Sequence, residues 1–369
     1  MVSARSRSFL LGPQSGLLAV ILCLGILLTV FAGSHTDRAT GRAVNNFLNS
    51  HTLIQTATDT SFFAIMAVGM TLVIVSGGID LSVGSVYALS GVITALALRA
   101  LARHGVGPGA LAAVALMVCP VLGLACGLVN GLLTVGLRVH PFIITLGSMW
   151  VFRGVAFVAS RAESVLLPTS VTAVIKANLG LPPALYPVPL LVMTGVTVLG
   201  ALFMGRTVAG RYVYAVGGNA DASRYAGIGV GRILVMVYAL SGLSAGVAAL
   251  VGGGYYGSAS CADATGYELY VIASAVVGGA SLSGGRGFAV NAALGALLIV
   301  LIRQSIRTLH FDQNYEWIII GCATIVAVVL DRLGRGVAGR RGRPASTEAA
   351  GEVPERTLQQ EQNTEDPQA

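Results

Sequence analysis

Lysine is almost missing from this chain: there is one, Lys176, in 369 residues. A phosphate-cradling Walker A loop needs Gly-Lys-Ser/Thr. Lys176 sits instead in VIKAN, so the chain carries no ATPase motor of that kind. Charge of either sign is also scarce. Only 11% of residues are charged, against about 25% in a soluble globular domain. With 54% hydrophobic residues and a mean hydropathy of +0.78, there is more apolar surface than one compact core of this length can bury. The solvent implied is lipid. Five histidines are scattered without H-E-x-x-H spacing, so no metal site follows. Five cysteines (Cys23, Cys119, Cys126, Cys261, Cys322) include no C-x-x-C pair, and four lie in the longer apolar runs. They read as small packing residues. No nucleophile–base constellation supports a membrane enzyme. GGGYYG at 252–257 fits G-x-G-x-x-G, yet it lies late in an apolar run with no strand before it. Close helix approach explains it better than a dinucleotide.

What is present is a series of uncharged runs: residues 17–33, 60–79, 81–98, 109–137, 177–205, 233–262, 269–285 and 287–302, with shorter ones at 139–152 and 317–330. A span needs about 20 apolar residues. The expectation is an all-α polytopic membrane protein of about ten transmembrane helices, some of them broken. The net charge of +7 is distributed by side rather than gathered into a nucleic-acid patch. With the amino terminus inside, fourteen of the 23 basic residues fall on the cytoplasmic side and eight on the other, with Arg153 inside a span. The first apolar run is long for a signal peptide and is read as a retained helix. The expected organisation is a cytoplasmic segment at 1–15, a permease domain at 16–334 and a disordered cytoplasmic tail at 335–369, where apolar content almost vanishes. Both termini are placed in the cytoplasm.

Residues 72–85 read LVIVSGGIDLSVGS: an apolar run interrupted by Gly77, Gly78, Asp80 and Ser82. An aspartate at the bilayer centre costs about 2.5–3.5 kcal/mol. Asp80 is therefore expected off-centre, at the cytoplasmic end of a span pair. The favoured reading is a cap on the amides freed by the break, and the alternative is a role in gating or coupling. The motif has an echo at Gly278, Gly279, Ser281 and Gly285, at a constant offset of 201. Both copies interrupt apolar runs, which suggests a parallel internal repeat with moving joints. Coincidence in a chain with 48 glycines is the alternative.

The longest polar stretch between spans is residues 205–232. Asn219 is placed to cap a helix of about two turns, Asp221 lies in its first turn and Gly227 ends it. So short a helix is marginal alone. It is read as docking a partner, with a plain amphipathic surface helix as the alternative. Glu268 opens a span on the side opposite the cytoplasm, as a polar anchor or as a group for a sugar or a delivery protein. Asn130 and Arg153 fall within apolar stretches, where they either line a pathway or tie helices together.

SGGIDLSVGS, RYVYAVGGNADASRYAGI and GYELYVIASAVVGGASLSGGRG occur in this order. Together they resemble the membrane-spanning permeases of bacterial ABC sugar importers, ribose/xylose/galactose type, from about residue 17 to about residue 333. That family often has a proline before GYEL, where this chain has CADAT. The resemblance implies a helical permease, paired with itself or with a similar permease, that moves a pentose or hexose inward across the bacterial inner membrane. Two ATPase subunits would dock below, using ATP and magnesium, and a periplasmic sugar-binding protein would deliver substrate. The chain itself would bind no cofactor and no nucleic acid. Gly218, Asn219, Asp221, Arg224, Tyr225 and Gly227 would then meet the ATPase. Gly77, Gly78, Asp80, Ser82, Gly278, Gly279, Ser281 and Gly285 would form hinges or a gate, and Asn130, Arg153 and Glu268 are pathway candidates. A permease for another small polar solute, such as a polyol or branched-chain amino acid, and an ion-coupled secondary transporter are the competing readings. The sequence names no particular sugar.

Overall fold

The computed structural model describes residues 13–36, 41–180 and 186–309, and, beyond them, 311–312, 314–316, 318–319, 321–322, 325 and 329. The chain divides into two units, residues 1–328 and 329–369, and every element named below belongs to the first. The expected tail at 335–369 and most of the expected segment at 1–15 lie outside the described residues.

Lipid offers no partner for a free amide or carbonyl, so apolar runs satisfy their backbones as helices. Twelve helices follow in order among the described residues: α1 Pro13–Phe31, α2 Ser50–Val75, α3 Val83–Arg103, α4 Pro108–Leu137, α5 Pro141–Ser160, α6 Thr169–Ile175, α7 Val188–Arg206, α8 Val208–Gly218, α9 Ala220–Tyr225, α10 Val230–Tyr256, α11 Tyr267–Val277 and α12 Ala289–Thr308. Two short antiparallel pairs accompany them, β1 Ser34–Thr36 with β2 Ala43–Asn45, and β3 Val165–Leu166 with β4 Ser258–Ala259.

Among the described residues, seven helices (α2, α3, α4, α5, α7, α10 and α12) are long and apolar enough to cross a membrane, and α1 and α11 contribute shorter apolar stretches. The expected count was about ten. The remaining span, expected at 317–330, falls largely outside the described residues. The run at 139–152 extends into a 20-residue helix, α5, because the helix continues through Arg153.

The centre of the bundle is α2, in which every residue from Thr60 to Val75 is buried. It packs against α10, α12, α7 and α11. Helix α10 runs antiparallel to it: Phe62 meets Tyr256, Gly69 meets Ser244, and Gly78, just past α2, meets Tyr238. One end of the bundle carries the β1–β2 hairpin, and an aromatic cluster that includes Phe63, Tyr267 and Tyr270 lies beside the middle of α2. The other end carries α8 and α9. Outer faces of α4, α5 and α7 stay exposed, with Met117, Trp150, Val158 and Leu199 among their uncovered side chains. Such faces suit lipid or a partner helix.

Between helices in lipid there is little hydrophobic drive, so close packing has to supply the attraction. The most extensive crossing is α4 on α10. A methyl group on Gly123 would strike the Gly242 carbonyl, and one on Gly127 would strike the Tyr238 carbonyl. The two backbones touch, which brings Asn130 of α4 and Ser241 of α10 toward the same interior point. Gly127→Leu is therefore expected to lower the thermal stability of the detergent-solubilised chain by about 1–3 kcal/mol or more. Gly147→Leu, on α5 with open space around it, is expected to melt as the wild type does. Equal melting of the two variants contradicts the crossing.

Candidate functional site

Helix α2 stops because two glycines follow its last turn. Gly77 takes φ +90°, and its amide donates to the Ile74 carbonyl at 2.9 Å, while the Gly78 amide donates to Val73 at 3.0 Å. This pair of bonds closes a helix end with a left-handed glycine. Helix α11 stops in the same way. Gly279 takes φ +92° and donates to Val276 at 2.8 Å, and Ala280 donates to Ala275 at 2.9 Å. The sequence echo aligns Gly77 with Gly278, but in three dimensions Gly77 corresponds to Gly279. The identical letters hide a one-residue shift at the second break. The two breaks also touch, since the Gly285 amide donates to the Val75 carbonyl at 2.8 Å. The second loop closes on itself through the Ser281 amide, which donates to the Arg286 carbonyl at 2.9 Å.

Asp80 is buried at the first break. Its Oδ1 accepts the Ser82 amide at 2.9 Å and the Ser82 hydroxyl at 2.6 Å, and its Oδ2 accepts the Ser241 hydroxyl at 2.8 Å. No cation pairs with it among the described residues. Asn130 extends the network by donating from Nδ2 to Ser82 Oγ at 2.7 Å. The neighbouring carbonyl of Ile79 accepts the Thr145 hydroxyl at 3.2 Å and the Tyr238 hydroxyl at 3.3 Å. Side chains from α4, α5 and α10 thus converge on residues 79–82. The position corrects one expectation. Ser241 is eleven residues beyond Val230, about 17 Å along the α10 axis, so Asp80 lies beside the middle of α10 and not at the end of a span pair. The donors around the carboxylate are what make that depth tolerable.

Glu268 is also deeper than expected. After β4 the chain turns back into the bundle through residues 260–266, and α11 begins at the level of Phe63, whose ring centroid is 4.6 Å from that of Tyr267. Glu268 Oε2 lies 2.7 Å from where a Cβ on Gly84 would stand. Helix α11 has 11 residues, about 16 Å, or roughly half a hydrocarbon core. It is a half-span preceded by a re-entrant loop, and not a span that opens at the membrane surface. The loop's carbonyls need donors, and Arg153 supplies them. Its Nη1 donates to the carbonyls of Cys261 at 2.7 Å and Asp263 at 2.6 Å, and its Nη2 to that of Ala264 at 3.4 Å. Arg153 thereby ties α5 to the loop.

At the far end, the short helix forms as its caps dictate. Asn219 closes α8 and opens α9, its Oδ1 accepting the Ala222 amide at 2.8 Å. Gly227, at φ +80°, ends it, with the Gly227 amide bonded to Arg224 and the Ile228 amide to Ser223. Asp221 pairs with Arg224 at 2.8 Å on the surface. Tyr225 is 92% exposed, and within α9 only Ser223 is buried. The structure gathers Asp80, Ser82 and Asn130 into one network and packs Glu268 against Gly84, two residues further on. It leaves α9 separate from them. Tyr238, Ser241 and Thr145 belong to the network although nothing in the apolar runs around them marked them out.

Residues 52–328 match the family described as branched-chain amino acid transport system / permease component. The chain is 37% identical over 320 residues to the ribose import permease protein RbsC of Escherichia coli (strain K12), covering 86% of this chain and 93% of that one. It is 36% identical over 290 residues to the D-allose transport system permease protein AlsC of the same strain, covering 78% and 85%. It is 32% identical over 298 residues to the fructose import permease protein FrcC of Rhizobium meliloti, covering 79% and 81%. No solved structure matches the chain.

Asp80→Ala leaves the Ser82 amide and two buried hydroxyls without their acceptor, an expected cost of about 1–3 kcal/mol in thermal melting of the solubilised chain. Asp80→Asn keeps one acceptor oxygen and is expected to melt closer to the wild type. An alanine variant as stable as the wild type contradicts the network.

Proposed function

The chain belongs to the family of the branched-chain amino acid transport system / permease component, and on that premise we propose that it is the membrane-spanning permease subunit of an ATP-driven ABC importer that moves a monosaccharide, a pentose or hexose, into the cytoplasm. The observation that carries this reading is the match to a ribose import permease along nearly the whole of both chains. Relatives named for allose and fructose support the same substrate class. The protein is a multi-pass protein of the inner membrane, with both termini cytoplasmic in this reading.

Import against a gradient needs work, and this chain has no Walker A sequence with which to supply it. The work comes from partner ATPase subunits, which use ATP and magnesium. Helix α9 is the surface offered to them: six residues, capped at both ends, with Tyr225 held out and Arg224 beside it. Gly218, Asn219, Asp221 and Gly227 give that surface its shape. A periplasmic binding protein delivers the sugar at the hairpin end, and a second permease subunit, identical or similar, completes the pathway.

In this mechanism closure of the ATPases displaces α9, and the two helix breaks are the joints that respond. Gly77 and Gly279 supply backbone freedom, Gly78, Gly278 and Gly285 allow close packing at the breaks, and Asp80, Ser82 and Ser281 fix the resting geometry. Asp80 is a working part of that gate. Asn130, Arg153 and Glu268 are the pathway candidates in this reading. Arg153 already spends donors on three carbonyls, which assigns it to shaping the pathway wall.

The test is a mild-detergent pull-down of the tagged chain from its native membranes. A stoichiometric ATPase is expected to accompany it, and a copurifying binding protein would give the sugar class. Arg224→Glu combined with Tyr225→Ala is expected to leave the chain folded and lose the ATPase. Repeated recovery of intact chain without an ATPase, or uptake that survives ATP depletion and fails with uncouplers, overturns the proposal in favour of ion coupling.

A further inference from the structure

Helix α9 leaves the bundle through α8, and the two are separated by Asn219 alone. The last turn of α8 rests on backbone. A methyl group on Gly217 would overlap the Val75 carbonyl oxygen, and it would stand 2.8 Å from the Gly285 amide nitrogen. In return, a methyl group on Gly284 would overlap the Gly217 carbonyl, and one on Gly285 would come within 3.1 Å of Gly218 Cα. Val75 is the final residue of α2, and its carbonyl already holds the Gly285 amide at 2.8 Å. One turn back along α8, the Tyr214 hydroxyl donates to the Gly287 carbonyl at 2.7 Å. Three segments therefore meet at one point with no side chain between them: the end of α2, the tip of the second break and the end of α8.

Contacts of this kind transmit displacement differently from side-chain contacts. A side chain absorbs a small shift by changing rotamer, whereas a carbonyl pressed on a neighbouring backbone moves with it. Glycine is a poor helix former, so its presence inside α8 is explained by this close approach. By contrast Gly77 and Gly279, the bends themselves, have open space around the missing side chain. The junction is tight where force would enter and loose where the chain would bend.

We infer that Gly217 is a positioning residue through which movement of α9 reaches both helix breaks together. This rests on the importer reading above. It adds that coupling depends on a backbone junction at Gly217, Val75 and Gly285, beyond the docking of α9 itself.

The experiment uses the assembled complex in proteoliposomes, with ATPase subunits and loaded binding protein present. Three quantities are measured: ATPase retained per permease, ATP hydrolysed and sugar taken up. For Gly217→Ala the complex is expected to assemble while ATP consumed per sugar rises about tenfold or more. Gly205→Ala, at the end of α7 with open space around it, is expected to keep the wild-type ratio. An unchanged ratio in Gly217→Ala, whether uptake is normal or falls in step with assembly, overturns the inference. If Gly217→Ala fails to insert, Tyr214→Phe is measured instead. It removes one hydroxyl from the same junction and is expected to raise the ratio about twofold or more, and an unchanged ratio again overturns the inference. A wild-type chain that retains no ATPase refutes the importer reading. A wild-type chain that couples normally, beside a variant that does too, refutes the junction alone.

Discussion

A buried carboxylate with no cation beside it among the described residues constrains this bundle more than any other single group. Asp80 has to be solvated by the protein, and the donors come from its own break and from the middle of α10. That requirement sets where α2 can end and where α3 can begin. It also depends on α4 and α10 touching backbone to backbone, since that approach brings Asn130 to Ser82 and Ser241 to Asp80. Leaving such donors unpaired is costly in a medium of low polarity, so the glycine-lined crossing and the polar network support each other.

The same rule governs the other interruption. Residues 260–266 enter the bundle without helical bonds, which lipid would not tolerate. The loop is stabilised by Arg153, a charged residue that would be expensive in a span if it had nothing to do. Its guanidinium meets three carbonyls, and the half-span α11 can then start at mid-depth. Broken helices in pairs, each ended by a left-handed glycine, give the bundle two places that can change direction at low cost. A short capped helix stands outside them, joined through α8.

Much of this could be read from the letters. Caps are local, so Asn219, Asp221 and Gly227 marked α9 from sequence alone. Gly77, Gly78 and Asp80 marked the first break, because a carboxylate and two glycines stand out in an apolar run. Depth was not legible. Sequence counts residues along a chain, whereas Asp80 and Glu268 owe their depth to where α10 and the re-entrant loop are packed. Tyr238, Ser241 and Thr145 carry no periodic signal within apolar helices. Gly217 is one of 48 glycines, and only the positions of Val75 and Gly285 separate it from the rest. The echo at 278–285 was visible, but its one-residue offset appears only in the hydrogen bonds that close the two helix ends.

The central claim is that the Asp80-anchored break works during transport and is more than a strut. Uptake by the Asp80→Asn complex in proteoliposomes tests it most directly, because the substitution removes the charge while keeping the shape. The account predicts ATPase-bound complex at the wild-type yield with sugar uptake reduced about tenfold or more. Wild-type uptake from that complex would contradict it and leave Asp80 as a structural cap alone.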